Sequence, residues 1–379
     1  MERSIQMVDL KAQYYKLKEE IDNALISVAE GTAYINGPQV KDFAKDLKQY
    51  NKVKHVIPCG NGTDALQIAM MALNFKPGDE VIVPAFTYIA TVEVIALLGL
   101  TPKFIDVRED TFEIDYDQLG NVISEKTVGI VPVHLFGQCS NMEVLLKISK
   151  KYNIAIIEDT AQAIGAEFIF KDGTRKFAGT IGDIGTTSFF PSKNLGCYGD
   201  GGALFTNDEQ LSEKAYMIAN HGQREKYHHE TIGVNSRLDT LQAAILQIKL
   251  RHLNNYSRAR QNVADRYDER LKGHSEIIIP FRAPYSTHVF NQYTCRIKSD
   301  NRKALKQYLT SKGIPSMIYY PIPLHLQEAY RTYGYKAGDF PVAERLCEEV
   351  ISLPIHTEMK HEDQDYIIEE ILNYFKTAK

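Results

Sequence analysis

Lys193 lies in a stretch of sequence that would suit it to covalent chemistry. The segment 189–196 (FFPSKNLG) around it has no other charged residue, whereas most lysines of the chain lie among other charges. A lysine that is shielded from water has a lowered pKa, and its neutral amine can attack an aldehyde. A solvated surface lysine is the alternative interpretation of the same residue.

Two further segments contain groups that could bind a charged ligand. Gly60–Asp64 lies between a predicted strand and a predicted helix, where backbone N–H groups and the helix dipole favour a phosphate. A tight turn with a helix cap is the alternative there. Glu158 and Asp159 directly follow the apolar segment 154–157. A carboxylate at the end of a buried strand needs a ligand or an internal ion pair to offset its desolvation.

An amine, a carboxylate and an anion-binding loop are together the groups that pyridoxal 5′-phosphate (PLP) requires. This cofactor needs an amine to hold its aldehyde, an acid to keep its ring nitrogen protonated and an anchor for its phosphate. The three segments occur in the order Gly60–Asp64, Glu158–Asp159 and Lys193. Their combination therefore predicts a PLP site.

The elements that would position these groups alternate between strand and helix over residues 52–205. Short, continuously apolar runs are typical of strands buried on both faces of a parallel sheet. These runs are 80–84, 103–107, 128–133 and 154–157, and the helical stretches between them include 64–73 and 142–152. The alternation predicts an α/β domain whose ligands bind at the carboxyl ends of the strands.

The C-terminal part of the chain has a different pattern. One continuous helix is expected from Asp239 to Leu271, because no Pro or Gly interrupts it. It would span roughly 50 Å. A strand over 289–297, a helix over 302–312 and a strand over 316–320 are expected after it. We therefore predict a large domain over residues 1–250 and a smaller α+β domain over residues 251–379.

The composition is that of an ordinary globular protein. The 379 residues include 44 basic and 48 acidic side chains, for a net charge of −4, and they form no basic stripe of the kind that binds nucleic acid. No apolar run approaches the length of a membrane helix, and residues 1–20 lack the apolar core of a signal peptide. The five cysteines are widely spaced. We expect a cytoplasmic protein that binds neither nucleic acid nor a membrane.

Nine motifs occur along nearly the whole chain. They are 34–38 (YINGP), 61–65 (NGTDA), 84–88 (PAFTY), 132–137 (PVHLFG), 158–162 (EDTAQ), 188–193 (SFFPSK), 199–203 (GDGGA), 233–239 (GVNSRLD) and 320–325 (YPIPLH). In this order they resemble the DegT/DnrJ/EryC1/StrS sugar aminotransferases. The resemblance implies a fold type I PLP enzyme, with a mostly parallel central sheet in the large domain and a smaller C-terminal α+β domain.

The resemblance also implies roles around the cofactor ring. Lys193 would hold the cofactor and shuttle the proton between Cα of the amino acid and C4′ of the cofactor. Asp159 would pair with the ring nitrogen, and Gln162 would contact the ring near its phenolic oxygen. Phe86 would stack on the ring, although a phenylalanine of the core is the alternative.

Four residues would bind the cofactor phosphate by the same resemblance. Gly62 and Thr63 would donate backbone N–H groups, and Ser188 would donate its hydroxyl. Asn235 would reach the phosphate from the other subunit. This last contact implies a homodimer with shared active sites.

Within the family, the closest resemblance is to the UDP-2-acetamido-2-deoxy-3-oxo-glucuronate 3-aminotransferases. The matching segments are 188–203, 221–223, 227–229, 233–246 and 320–324. The resemblance implies transfer of the amine of L-glutamate to a nucleotide-linked 3-keto sugar, for surface polysaccharide such as the O-antigen of lipopolysaccharide. A dTDP- or UDP-linked 3-keto or 4-keto 6-deoxy sugar is the alternative acceptor.

Five residues are candidate substrate contacts. Arg237 could bind a uronate carboxylate through its guanidinium fork, or else act within the structure or an interface. His134 is either a substrate contact or a core histidine. Tyr320 and His325 are expected on the small-domain face of the cleft. Tyr319 adjoins them and is a departure, because the resembled group tends to carry histidine there.

Three alternative functions are less consistent with the sequence. His228 and His229 look like a metal-binding pair, but no carboxylate or cysteine lies at ligand spacing, so we expect no metal. A sugar dehydratase of the same fold would carry histidine in place of Lys193. A PLP-binding regulatory protein would bind the cofactor without releasing 2-oxoglutarate.

Overall fold

The computed structural model of the chain describes residues 5–298 and 301–377. Its helices are α1 (Leu10–Gly31), α2 (Pro38–Asn51), α3 (Gly62–Ala72), α4 (Ala90–Leu97), α5 (Leu119–Val122), α6 (Met142–Tyr152), α7 (Glu209–Ala219), α8 (Thr240–Leu250), α9 (Leu253–Leu271), α10 (Arg302–Ser311), α11 (Pro341–Glu349) and α12 (His361–Thr377). Short 3₁₀ helices occupy Tyr116–Gln118, Leu135–Gly137, Leu324–Leu326 and Glu328–Tyr333.

The strands of the described residues form four sheets. They are β1 (His55–Cys59), β2 (Glu80–Pro84), β3 (Thr101–Ile105), β4 (Thr127–Ile130), β5 (Ala155–Asp159), β6 (Glu167–Ile169), β7 (Arg175–Phe177), β8 (Ile184–Ser188), β9 (Gly202–Thr206), β10 (Gln223–Glu225), β11 (His228–His229), β12 (Ile277–Ile278), β13 (Tyr293–Ile297) and β14 (Val350–Leu353). The largest sheet has seven strands. A second sheet has three strands, β12, β13 and β14, and two further sheets are the pairs β6–β7 and β10–β11.

The seven-stranded sheet has the order β1-β9-β8-β5-β4-β2-β3. Five neighbouring strands, from β8 to β3, pair in parallel, whereas β9 runs antiparallel to both of its neighbours. Helices cover both faces of these strands, which explains why the strand sequences are apolar without alternation. The predicted mostly parallel central sheet is confirmed.

Buried apolar side chains hold the helices against this sheet. The middle residues of β2, Val81 to Val83, have no exposed surface, and α3 is buried on most of its circumference. Asn61 caps α3, since its Oδ1 accepts from the Asp64 N–H at 2.8 Å. The observed bounds of α6 coincide with the predicted helix over 142–152.

A second core lies around the three-stranded sheet. Tyr267, Tyr293, Ile351 and Ile368 are fully buried there, and Ile5 joins the same cluster from the other end of the chain. The expected strand over 316–320 is replaced by a single bridge between Met317 and Ser352, because the chain then leaves the sheet toward the cavity described below. The domain boundary near residue 250 stays a prediction.

The expected single helix over 239–271 is two helices, α8 and α9. The His252 N–H donates to the Lys249 carbonyl at 3.0 Å, which is a tightened turn that interrupts the regular i→i−4 hydrogen bonds. No Gly or Pro marks this break in the sequence. The prediction of one straight helix was therefore wrong.

We expect Gly185→Ala, in β8, to destabilise the fold by about 3 kcal/mol. A Cβ at this position would lie 2.1 Å from the Gly179 carbonyl oxygen, which is a backbone atom and cannot rotate away. Gly31→Ala, near the end of α1, has open space around its Cβ and should change the free energy of unfolding by less than about 1 kcal/mol. Urea unfolding of both variants measures the difference, and equal stabilities would contradict the steric argument.

Candidate active site

A cavity of about 630 Å³ lies at the carboxyl ends of the central strands. Asp159, the last residue of β5, and Ser188, the last residue of β8, lie in its wall. Asn61 reaches it from the turn after β1, Thr63 from the first turn of α3 and Tyr88 from the turn after β2. The cavity therefore occupies the edge of an α/β sheet where ligands bind.

Lys193 lies in the cavity wall, on the loop that connects β8 to β9. Its N–H donates to the Phe190 carbonyl at 2.8 Å, which forms a turn that presents the side chain to the cavity. Desolvation lowers the pKa of the amine to about 8, although the nearby Asp159 carboxylate acts in the opposite direction. Lys193 thus has the partly neutral amine that covalent chemistry requires.

Asp159 holds a buried carboxylate against the same cavity. Its Oδ2 accepts from the Thr91 hydroxyl at 2.8 Å, and its Oδ1 accepts from the Ala161 N–H at 3.1 Å. These two hydrogen bonds fix the plane of the carboxylate and leave acceptor capacity on both oxygens. The arrangement can bind a cation or a protonated ring nitrogen.

Glu158, the neighbouring acid, is instead satisfied inside the protein. It accepts hydrogen bonds from the N–H groups of Gly179, Ile181 and Gly182 at 2.6–3.0 Å and from His134 Nε2 at 2.9 Å. Burial alone would raise the pKa of this carboxyl, but the His134 imidazole and the backbone donors lower it below its ordinary value. Glu158 is therefore a structural anchor.

His134 is fully buried and does not line the cavity. Its Nδ1 accepts from the Ser140 N–H at 3.0 Å, so Nε2 carries the proton and donates to Glu158. Both ring nitrogens are thus used within the core. The structure places His134 behind the sheet edge rather than at the substrate side.

The turn after β1 and the start of α3 have the features of an anion cradle. Gly62 and Thr63 begin α3, so their N–H groups have no intrahelical acceptor. A Cβ on Gly62 would lie 2.8 Å from Ser188 Cβ, and a Cβ on Gly202 would lie 2.5 Å from the Asn61 backbone. These close approaches place the backbone of α3 directly against β8 and β9. The cradle and the Ser188 hydroxyl therefore face one end of the cavity together.

Gln162 and Tyr320 form another part of the wall. Gln162 Oε1 accepts from the Phe136 N–H at 2.7 Å, and its Nε2 donates to the Tyr320 hydroxyl at 3.1 Å. Phe86 lies behind this wall, with its ring stacked on Phe112 at 5.8 Å and edge-on to Tyr320 at 6.2 Å. It is buried and does not line the cavity.

The other candidate residues lie at different distances from the cavity. Tyr319 lines it, next to Tyr320. His325 is buried outside it, where its Nε2 meets Glu344 at 3.1 Å. Asn235 is exposed and Arg237 is half-buried, and neither lines the cavity of its own chain.

Sequence reasoning missed several residues of the site. Thr91 lies behind the wall and donates to Asp159, and a hydroxyl in the first turn of α4, where Glu93 is the other polar side chain, is a signal that could have found it. Tyr88, Asp200 and Gln292 line the cavity. Gln292 lies 99 positions beyond Lys193 in the chain, so no local pattern connects the two.

Neither a metal-binding cluster nor a membrane-spanning helix is present among the described residues. His228 and His229 are both exposed, and the described residues contain no group of three His, Cys, Asp or Glu side chains that could hold a metal ion. Within residues 5–298 and 301–377, none of the helices has both the length and the apolar character needed to span a membrane.

Comparison with known proteins assigns this architecture to one family. The profile of the DegT/DnrJ/EryC1/StrS aminotransferase family matches residues 15–372. A Geobacillus stearothermophilus protein named pleiotropic regulatory protein is 43% identical over 98% of this chain and 99% of its own. The UDP-2-acetamido-2-deoxy-3-oxo-D-glucuronate aminotransferase of Pseudomonas aeruginosa is 44% identical over 93% of this chain and 95% of its own.

Solved structures agree with this similarity. A DegT DnrJ EryC1 StrS aminotransferase from Brucella abortus has a TM-score of 0.92 and 40% identity, over 98% of this chain and 99% of its own. A Bacillus subtilis protein solved with bound pyridoxamine phosphate (PMP) has a TM-score of 0.88 and 31% identity, over 95% of this chain and 82% of its own.

We expect Glu158→Gln to destabilise the fold by about 2 kcal/mol at pH 7, because an amide nitrogen would face a buried N–H donor. The folded pKa of Glu158 is below its unfolded value, so its ionised form contributes stability above the unfolded pKa, about 4.3. That contribution is lost as the pH falls through the folded pKa. The difference between wild type and variant should therefore shrink toward pH 3 in urea unfolding.

The matched control is Glu20→Gln, which removes one partner of the exposed ion pair with Arg251. This change should lower the free energy of unfolding by less than about 1 kcal/mol. A Glu158 variant as stable as this control would show that the buried hydrogen bonds contribute little.

Proposed function

Because this chain belongs to the DegT/DnrJ/EryC1/StrS aminotransferase family, we propose that it transfers an amino group from L-glutamate to C3 of UDP-2-acetamido-2-deoxy-3-oxo-glucuronate. It is a PLP-dependent nucleotide-sugar aminotransferase. The observation that carries the choice of sugar is the 44% identity to the Pseudomonas enzyme named for it. The aminated sugar would enter the synthesis of surface polysaccharide, such as O-antigen, in the cytoplasm.

The residues of the cavity fit PLP. The amine of Lys193 has no hydrogen-bond partner among the described residues, and Asp159 offers its carboxylate to the same space. The N–H groups of Gly62 and Thr63 are available to a phosphate because they begin α3 and have no acceptor within the helix. The absence of a side chain at Gly62 lets this backbone approach Ser188 closely. An amine, an acid and an anion cradle in one cavity are the features that the cofactor needs.

We assign the chemical steps to two of these residues. When bound, PLP supplies an electron sink that stabilises negative charge at Cα of the amino acid. Lys193 would hold the cofactor and then, as a neutral amine, move the proton between Cα and C4′. Asp159 would keep the proton on the ring nitrogen, while Thr91 and the Ala161 N–H orient its oxygens. Gln162 would face the phenolic oxygen of the ring.

The phosphate contacts lead to a proposed homodimer. Gly62, Thr63 and Ser188 would bind the phosphate from one chain. Asn235 is exposed and lies outside the cavity of its own chain, which supports the proposal that it binds the phosphate in the partner's cavity. Each active site would then need two subunits.

The same argument applies to the sugar. Among the described residues, Arg237 makes no hydrogen bond or ion pair, so its guanidinium remains available for a carboxylate. It shares a segment with Asn235 and would bind the uronate group in the partner's cavity. Tyr319 and Tyr320 line the cavity and would contact the sugar directly.

A PLP-binding regulatory protein is a second candidate, favoured by the name of the Geobacillus relative. It would bind the cofactor at Lys193 and leave the amino group of glutamate in place. The experiment below separates the two functions.

We expect L-glutamate to bleach the visible band of the PLP-loaded protein and to release 2-oxoglutarate. UDP-2-acetamido-2-deoxy-3-oxo-glucuronate should then restore the band, since the amine passes to its C3. Lys193→Ala should lose at least about 1000-fold in kcat. Absorbance and coupled detection of 2-oxoglutarate measure these steps.

Each arm of this experiment has its own opposing result. Failure of glutamate and other common amino acids to bleach the band would favour the regulatory function. Recovery only with a 6-deoxy keto sugar on dTDP or UDP would replace the proposed acceptor, yet leave the aminotransferase assignment intact.

We expect the apo protein to bind PLP covalently at a rate that follows the neutral fraction of Lys193. With a pKa of about 8, this rate should rise about fivefold between pH 7 and pH 8 and level off above pH 9. Stopped-flow absorbance measures it. A rate that climbs tenfold per pH unit up to pH 10 would contradict a desolvated lysine.

A further inference from the structure

Lys249, in α8, is a buried cation that the steps above do not use. Its side chain is 1% exposed, its Nζ donates to the Gly196 carbonyl, and it lies 5.5 Å from the centre of the Tyr198 ring. None of the described carboxylates forms an ion pair with it, and the positive charge of Arg260 acts against its own. A buried charge without a counter-ion is unfavourable, so the other contacts of Lys249 must explain why it is buried.

The group that Lys249 binds belongs to the loop that carries Lys193. The Phe189 N–H donates to the Gly201 carbonyl at 2.7 Å and the Cys197 N–H donates to the Phe189 carbonyl at 2.8 Å, which closes the base of this loop. A Cβ on Gly196 would lie 2.2 Å from the Pro191 carbonyl oxygen. The backbone at Gly196 therefore packs directly on residue 191, two positions before Lys193.

A second residue of α8 holds the same loop. Gln242 Oε1 accepts from the Tyr198 N–H at 2.8 Å. Gln242 and Lys249 are seven residues apart, which places them on one face of the helix, two turns from each other. The two side chains therefore fix both sides of residue 197 to a rigid element.

We propose that Lys249 is a positioning residue for Lys193, which fixes the loop through the Gly196 carbonyl and so sets where the Lys193 amine lies in the cavity. This inference rests on the proposed role of Lys193 as the residue that holds the cofactor. Lys249 matters for the reaction because the Lys193 amine must be placed within a few tenths of an ångström to act on the cofactor.

The test compares Lys249→Met with Gln247→Met. Gln247 lies on the same helix, and its Nε2 donates to Asp46 in α2 at 2.9 Å, away from the loop. Wild type and Lys193→Ala, both mixed with PLP, come first: a visible band that persists in Lys193→Ala would overturn the proposed function itself. The pH at which half of the visible band has changed, the midpoint pH, is then measured in wild type and in the other variants. Hydrogen exchange of the apo proteins is measured alongside.

We expect Lys249→Met to shift the midpoint pH by about one unit, because the Lys193 amine is displaced relative to Asp159. Hydrogen exchange of the Lys193 and Cys197 amides should be about tenfold faster. The kcat should fall about tenfold, with little change in KM for glutamate. Gln247→Met should lower Tm and change none of these readouts.

An unchanged midpoint and unchanged loop exchange in a folded Lys249→Met would overturn the inference. If that variant does not fold, Gln242→Leu removes the other attachment of the loop and should shift the same midpoint in the same direction. A Gln242→Leu protein identical to wild type in midpoint and exchange would then overturn it equally.

Discussion

The parallel pairing of β5 with β8 is the constraint on which the cavity depends. In this register Asp159 lies opposite Thr186, so the carboxylate that ends β5 lies beside the C-terminal half of β8. Lys193 follows β8 by five residues. Because both strands run in the same direction, an acid and an amine that are 34 positions apart in the chain meet at one edge of the sheet.

Glu158 and Asp159 are neighbours in β5, yet one is used within the fold and the other faces the cavity. Neighbouring side chains of a strand point to opposite faces. Glu158 points to the side where three backbone N–H groups and His134 satisfy it, and this network also holds the turn before β8. Asp159 points to the cavity with acceptor capacity left over. One acid stabilises the edge of the sheet, and the other remains available to a ligand.

Local patterns predicted five strands of the central sheet, β1 to β5, together with α3 and α6, because buried parallel strands and capped helices leave signals within a few residues. The same patterns did not predict β8 or β9. They could not tell which of several neighbouring motif residues faces the cavity. Phe86 and His134 lie in the core, while the adjacent Thr87 and Val133 line the wall. The break between α8 and α9 carried no local signal, since it has neither Gly nor Pro. Thr91 and Gln292 reach the site only through tertiary folding.

The protonation state of Lys193 follows from two opposing influences on its amine. Desolvation favours the neutral form, whereas the Asp159 carboxylate favours the ammonium. A ligand that pairs a cationic ring nitrogen with Asp159 would cancel the negative charge of that carboxylate and leave desolvation unopposed. The bound cofactor would then itself lower the pKa of the amine that has to act on it. An aspartate in this position would therefore do more than hold a ring, because its neutralisation would leave a larger fraction of the lysine as the neutral amine near pH 7.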